Sequence, residues 1–268
     1  PFLEAVRQIF LEKGHENCLL IHVTLVPYLK GSNEHKSKPT QHSVKELQSM
    51  GISPDIIVAR TDEPFDDSIK SKISLFCNVK PDCVIENLTL PCIYEAPVVL
   101  HENGFDEVVC RELGLKTNKP DLTEWKDLIK KINSRQKEVT IAIVGKYIKL
   151  QDAYLSIIES LNHAGFDKGT TVNIKWIESD NVTKENICEK LKGVSGIIIP
   201  GGFGDRGIEG KITACQYARE NDIPFLGICL GMQVTVIEFA RNVCGLKGAN
   251  SSEFEENCPH PVIDLMEE

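Results

Sequence analysis

Residues 224–233 read Pro-Phe-Leu-Gly-Ile-Cys-Leu-Gly-Met-Gln, and the cysteine among them, Cys229, has the setting of a nucleophile. An apolar, β-forming run ends in Gly-x-Cys-x-Gly and passes into a helical pattern over 232–242. This predicts a buried parallel strand that turns sharply into a helix. Such a turn strains its central residue and packs strand against helix, so Gly227 and Gly231 stand where a Cβ would obstruct it. The thiol is then left at a helix N-terminus. Amide N–H groups and the helix dipole favour the thiolate there, by at most about 2 kcal/mol, so a histidine partner is still needed. A cysteine after a core strand is ordinarily an inert buried thiol. The two glycines at the required spacing favour the nucleophile instead.

Two further stretches have residues suited to chemistry. Residues 200–207, Pro-Gly-Gly-Phe-Gly-Asp-Arg-Gly, form a glycine-rich loop expected at a strand end. The loop lacks the Gly-Lys-Ser/Thr ending of a phosphate-binding loop, and beside a cysteine elbow its N–H groups suit an oxyanion hole. Lys36, Ser37, Lys38, Pro39, Thr40 and Gln41 place two ammonium groups, a hydroxyl and a carboxamide on one segment stiffened by proline. Lysines so spaced can reach separate phosphates of one nucleotide, while Thr40 and Gln41 can bond polar edges. On spacing alone the favoured reading is a solvated turn before a helix capped by Thr40 or Ser43.

The elements that must position these residues alternate as β and α. Strands are expected over 18–26, 55–59 and 83–86, and helices over 1–11, 43–50, 68–77 and 106–113. Turn chemistry at 117–121 and one polar helix near 122–132 mark an interdomain linker over 115–137. A second series follows: strands over 139–145, 171–176 and 196–199 with helices over 153–163, 184–191 and 207–221, leading to the Cys229 strand. Both ends read as cut, and the apolar run from Pro261 closes nothing. The fold class expected is therefore α/β, with two mostly parallel domains over 1–114 and 138–268. Parallel crossovers place ligands at the carboxyl ends of their strands, where Gly145, Pro200 and Cys229 all fall.

Composition narrows the classes. At 268 residues and 41% hydrophobic content the chain can bury a substantial core. No apolar run approaches 18 residues and no signal pattern opens the chain, which predicts a cytoplasmic protein without a membrane partner. Ten cysteines without a C-x-x-C pair suggest reduced thiols rather than disulfides or a zinc site, and no metal ligands are assigned. The net charge of −9 argues against nucleic acid as a partner.

Pro-Gly-Gly-Phe-Gly at 200–204 and Gly-Ile-Cys-Leu-Gly-Met-Gln at 227–233 together resemble the class I glutamine amidotransferase domain. With 36–47, 75–79, 144–147 and 250–254 in the same order, the chain is similar along nearly all its length to the CTP synthase family. That family aminates UTP to CTP with ATP and glutamine. The resemblance implies the end of a P-loop-type amidoligase domain over 1–114 and the beginning of a flavodoxin-like glutaminase domain over 138–268. Carried over by residue, it implies Cys229 as the thioester-forming nucleophile and the N–H groups of Gly202 and Leu230 as the oxyanion hole. Gly202, Leu230, Gly231, Met232, Gln233 and Glu253 would hold glutamine, Glu253 facing its ammonium group. Lys36, Ser37, Lys38, Pro39, Thr40, Gln41 and Lys72 would bind UTP or the inhibitor CTP, with Ser37 where the family usually has Thr. Leu88, Thr89, Leu90 and Phe76 would lie near the ATP adenine, and Arg206 in the loop where GTP activates. Mg²⁺ with ATP, a homotetramer and no prosthetic group complete what the resemblance implies.

Two family features are not found in the sequence. The family's ATP-binding glycine-lysine loop and Mg²⁺-binding carboxylates belong upstream of Pro1. Its glutaminase His-x-Glu has no counterpart, because none of the seven histidines has Glu two places on. The chain is thus expected to be a fragment, inactive by itself. The alternatives are a non-catalytic nucleotide-binding or filament-forming paralogue, and a cysteine hydrolase unrelated to nucleotides. The last leaves residues 36–41 unexplained.

Overall fold

A computed structural model describes residues 1–148 and 150–266. In chain order the elements are α1 (Phe2–Lys13), β1 (Ile21–Leu25), β2 (Tyr28–Leu29), β3 (Glu34–His35), α2 (Lys38–Ser49), β4 (Ile56–Thr61), α3 (Asp67–Cys77), β5 (Val84–Leu88), α4 (Ala96–Glu102), α5 (Phe105–Glu112) and α6 (Thr123–Asn133). They continue as β6 (Lys137–Gly145), α7 (Leu155–Asp167), β7 (Thr170–Glu178), α8 (Ile187–Lys190), β8 (Gly196–Ile199), α9 (Ile208–Glu220), β9 (Phe225–Gly227), α10 (Leu230–Asn242), β10 (Ala249–Ser251) and β11 (His260–Ile263). The chain divides into two compact units, Pro1–Ile129 and Lys130–Glu268.

In the first unit a parallel sheet has the order β1-β4-β5. Its middle strand is buried on both faces, as its unbroken Ile-Ile-Val-Ala run requires. Ile57 and Ala59 pack with Val44 of α2 and with Ile69 and Ile73 of α3, whereas Ile56 and Val58 pack with Ile85 and with Val108 of α5. The Asp66 side chain accepts from the Ile69 N–H at the start of α3, and Asn78 takes a left-handed conformation at its end.

The second helix begins earlier than expected. Lys38, Pro39, Thr40 and Gln41 form its first turn, where a missing proline N–H costs nothing, and neither Thr40 nor Ser43 caps it. The preceding loop folds back as the β2-β3 hairpin. Pattern reading also passed over α4, a seven-residue helix with Pro97 in its first turn, too short to show a period.

In the second unit four parallel strands take the order β7-β6-β8-β9. Ala142, Val144, Ile197 and Ile199 meet Ala214, Cys215 and Ala218 of α9 in the core. The helix expected over 184–191 shrinks to α8, because Asn186 ties the preceding turn: it accepts from the Thr183 N–H and donates to the Asn181 carbonyl. The run after Pro261, expected to close nothing, is part of β11. It pairs in parallel with β10, and Val262 and Ile263 pack against Ile208, Ile212, Leu230 and Val234.

Helices α9 and α10 are also joined by charge. Glu238, only 1% exposed, accepts from Arg219 Nη2 at 2.8 Å and from Asn242 Nδ2 at 3.1 Å. Removing one partner of such a pair leaves the buried charge uncompensated, whereas replacing both by apolar groups need not. Arg219→Met is expected to destabilise the second unit by about 2–3 kcal/mol, below the usual cost because the arginine keeps solvent access. Arg219→Met with Glu238→Leu should recover most of the loss. Urea denaturation of the three proteins checks both statements.

Candidate active site

Three strand ends converge around Cys229. The residue has φ 53° and ψ −109°, a positive φ that costs a non-glycine side chain on the order of 1–3 kcal/mol. It is exposed and stands as the N-cap of α10. Packing imposes this strain. A Cβ at Gly231 would lie 2.0 Å from the Ile199 carbonyl oxygen, and one at Gly227 would lie 2.5 Å from the Gly231 carbonyl oxygen. The first turn of α10 therefore rests directly on the end of β8, and the chain must double back at Cys229 to reach it. The Ile228 N–H donates to the Ile199 carbonyl at 2.9 Å and fixes the approach.

The glycine-rich loop lies against this elbow. A Cβ at Gly201 would be 3.4 Å from Cys229 Cβ and 3.9 Å from its Sγ, so loop backbone and thiol are neighbours. Gly202 adjoins Leu230: a Cβ there would be 3.6 Å from Leu230 Cδ2. The Leu230 N–H is in the first turn of α10, where the helix supplies no acceptor. Gly201 and Gly202 thus lie against Cys229 and Leu230 in turn. Gln233 and Glu253 line one cavity of about 460 Å³ with Ser251, Ser252, Ile263, Asp264 and Leu265. Ser252 donates to Asp264, which holds that carboxyl below the usual range. Met232 is exposed on the same helix turn.

Other groups brace the loop. Lys146 Nζ donates to the Phe203 carbonyl at 2.9 Å, and Arg206 pairs with Asp180 at 3.2 Å while donating to the Lys146 carbonyl at 3.3 Å. Buried Lys211 reaches the same loop from α9. Asp180 and Lys211 escape sequence reading because one lies in a short turn and the other in a helix pattern of mixed character. A lysine among the buried small residues of α9 is the only hint.

In the first unit the lysine-rich segment is more internally engaged than its sequence suggests. Thr40 is fully buried and donates to the Leu25 carbonyl at 3.0 Å, so its hydroxyl serves packing. Gln41 Nε2 donates to Ser37 Oγ at 3.0 Å, and Lys36 pairs with Glu34 at 2.6 Å. Lys36 first, and Lys72 further off, hold the Glu34 carboxyl below its ordinary range. Lys38, Pro39 and Lys72 are exposed. Leu88, Thr89 and Leu90 line a cavity of about 410 Å³ with Arg60, Asn87, Ile93 and Ala96; Phe76 does not line it, being half-exposed on α3. Arg60 was passed over, although a cation near the carboxyl end of an otherwise apolar parallel strand is a ligand signal.

Residues 1–115 match the family model described as CTP synthase N-terminus, and residues 149–263 match that of glutamine amidotransferase class-I. The CTP synthase of Clostridium acetobutylicum is 57% identical over 266 residues, covering 99% of this chain and 50% of that protein. The CTP synthase of Caldanaerobacter subterraneus is 56% identical over 268 residues, covering 100% of this chain and 50% of that protein. The chain spans about half the length of the curated relatives it matches. A solved Trypanosoma brucei CTPS glutaminase domain with bound acivicin is 41% identical, with TM-score 0.46, covering 48% of this chain and 50% of that one.

Thiol environments differ enough to test the elbow directly. Burial pushes Cys77 and Cys83 above the ordinary thiol range and Cys215 up to about 11, so at pH 8 about one thousandth of Cys215 is thiolate. Cys188, Cys229 and Cys244 are exposed. Brief iodoacetamide treatment at pH 8 with peptide mapping should label these three and leave Cys77, Cys83 and Cys215 until the protein is unfolded. Labelling of Cys229 as slow as that of Cys215 would show that the elbow withholds its thiol.

Proposed function

The chain belongs to the CTP synthase family, and on that premise we propose that it forms part of an enzyme that aminates UTP to CTP with ATP, taking nitrogen from glutamine hydrolysed at Cys229. The observation that carries the reading is the strained cysteine held at a helix N-terminus against a glycine loop. In the glutaminase step the Cys229 thiolate adds to the carboxamide carbon of glutamine, and the carbonyl electron pair moves to oxygen. The Gly202 and Leu230 N–H groups receive that oxyanion. Collapse expels ammonia, which needs a proton donor, and leaves a thioester; a base-activated water then releases glutamate. A histidine backed by glutamate is the family's group for both transfers, and no hydrogen bond joins Cys229 to a histidine among the described residues. Gln233 and Glu253 hold the substrate, supported by their shared cavity.

Residues 1–114 act as the end of the amidoligase domain and 138–268 as glutaminase, with 115–137 between them. Ammonia displaces phosphate from a UTP 4-phosphate intermediate formed with ATP. Lys36, Lys38 and Lys72 attract the pyrimidine nucleotide's phosphates, with Ser37, Pro39, Thr40 and Gln41 shaping the segment. The cavity of Leu88, Thr89 and Leu90 suits an adenine edge. Mg²⁺ with ATP belongs to the same proposal, held by carboxylates of the family's upstream segment; among the described residues no group of three or more His, Cys, Asp or Glu side chains is arranged to hold a metal. CTP as inhibitor, GTP as activator near Arg206 and a cytoplasmic homotetramer belong to the same proposal. Among the described residues no helix is long and apolar enough to cross a membrane.

Two substitutions in the full-length enzyme test the halves separately. Cys229→Ala should abolish glutamine-dependent amination yet leave synthesis from added ammonia largely intact, since only ammonia generation needs the thiolate. Equal loss with both nitrogen sources would remove Cys229 from the role. Lys38→Ala should weaken UTP and CTP binding roughly tenfold or more by deleting a charge-assisted phosphate contact. Unchanged calorimetric affinity for both nucleotides would return the segment to a solvated helix start.

A further inference from the structure

Lys211 is the largest fully buried side chain of the described residues, at 1% exposure. An ammonium group so placed ordinarily has a carboxylate partner, because burying an unpaired charge is costly. Here it forms neither an ion pair nor a hydrogen bond among the described residues, and the little exposure it keeps leaves its Nζ in contact with solvent. The nearest opposing charge that favours it, Asp180, is already engaged by Arg206. Burial first, and then the charge of Lys146, hold Lys211 below the ordinary lysine range, with Asp180 acting the other way. Packing gives no reason for the charge. The neighbouring buried positions of α9 are Ile208, Gly210, Ile212 and Ala214, among which an uncharged chain of the same length would sit without desolvation.

The location of the ammonium supplies the reason. Lys211 Nζ lies 3.9 Å from the point where a Cβ on Gly202 would stand, on the same side as Leu230 Cδ2 at 3.6 Å. Lys146, from the end of β6, grips the next residue of the same loop through the Phe203 carbonyl at 2.9 Å. We propose that Lys211 is a positioning residue for glutamine hydrolysis: its ammonium beside Gly202 holds the loop with the 202 amide turned to the reacting oxygen and adds positive potential where negative charge develops. The proposal rests on the Cys229 glutaminase reading. A fixed charge in a water-poor setting acts more strongly than one in bulk solvent, and it requires no reorganisation when the oxyanion forms.

The test uses the full-length enzyme with Lys211→Met, which keeps length and removes charge, and Lys211→Gln, which keeps a polar tip. Each is expected to lower kcat for glutamine hydrolysis on the order of 10–100-fold, somewhat less than deletion of a direct oxyanion donor. KM for glutamine, amination driven by added ammonia and iodoacetamide alkylation of Cys229 should stay near wild type. A merely structural lysine would instead depress both nitrogen sources together or slow the alkylation. Wild-type kcat in a variant that folds overturns the proposal, and so does equal loss with both sources. Failure of both variants to fold assigns Lys211 to the fold and overturns it as well. Absence of glutamine hydrolysis by the wild-type enzyme would strike the Cys229 reading itself, so the two failures are separable.

Discussion

Much of the second unit depends on one close approach. The carbonyl oxygen of Ile199 occupies the space that a side chain at 231 would need, 2.0 Å from the position of its Cβ. Helix α10 can therefore rest on the end of β8 only with glycine in its first turn. Once it does, the chain between β9 and α10 has no room for an ordinary bend, and Cys229 takes the positive φ that places it at the helix N-terminus. The strain is affordable because α10 is anchored along its length, by Val234 and Ile237 in the core and by the Glu238 pairing with Arg219.

The same packing decides what surrounds the thiol. Strand β8 runs straight into the glycine loop, so seating α10 on the end of β8 also sets Gly201 against Cys229 and Gly202 against Leu230. Lys146, Arg206 and Asp180 then tie the loop to the ends of β6 and β7. Two buried charges show opposite solutions to one cost. Glu238 is fully paired and holds two helices together, whereas Lys211 is unpaired and faces backbone that carries the proposed chemistry.

In the first unit the parallel sheet provides the frame, and residues near strand ends meet solvent. Arg60 and the 88–90 segment share a cavity near the carboxyl ends of β4 and β5, as the topology of parallel crossovers favours. The lysine-rich segment shows how helix formation redistributes roles. Winding Lys38 to Gln41 into a turn buries Thr40 and leaves Lys38 outside, so the polar residues of one short sequence divide between packing and solvent.

The sequence by itself determined the α/β class, the chain order of the main strands and most helices, and the sharp strand-to-helix turn at Cys229 on which the proposed chemistry rests. Each rests on local information: apolar runs of strand length, helical periodicity, and two glycines spaced about a cysteine. The motifs between 36 and 254 are equally legible, because each is a contiguous run whose residue types and order carry the resemblance to the family. Tertiary structure decided what local patterns do not encode. Short elements such as α4 and β11 exist because partners complete them, and the 38–41 turn is helical because Thr40 finds acceptors at the end of β1. Phe76 falls away from the cavity that Leu88, Thr89 and Leu90 share, since a helix face and a strand end meet only through packing. Lys211 is the clearest case. Its place among the apolar and small residues of α9 is a faint mark, and only the fold brings its ammonium beside Gly202, nine residues earlier in sequence and at the opposite end of a loop.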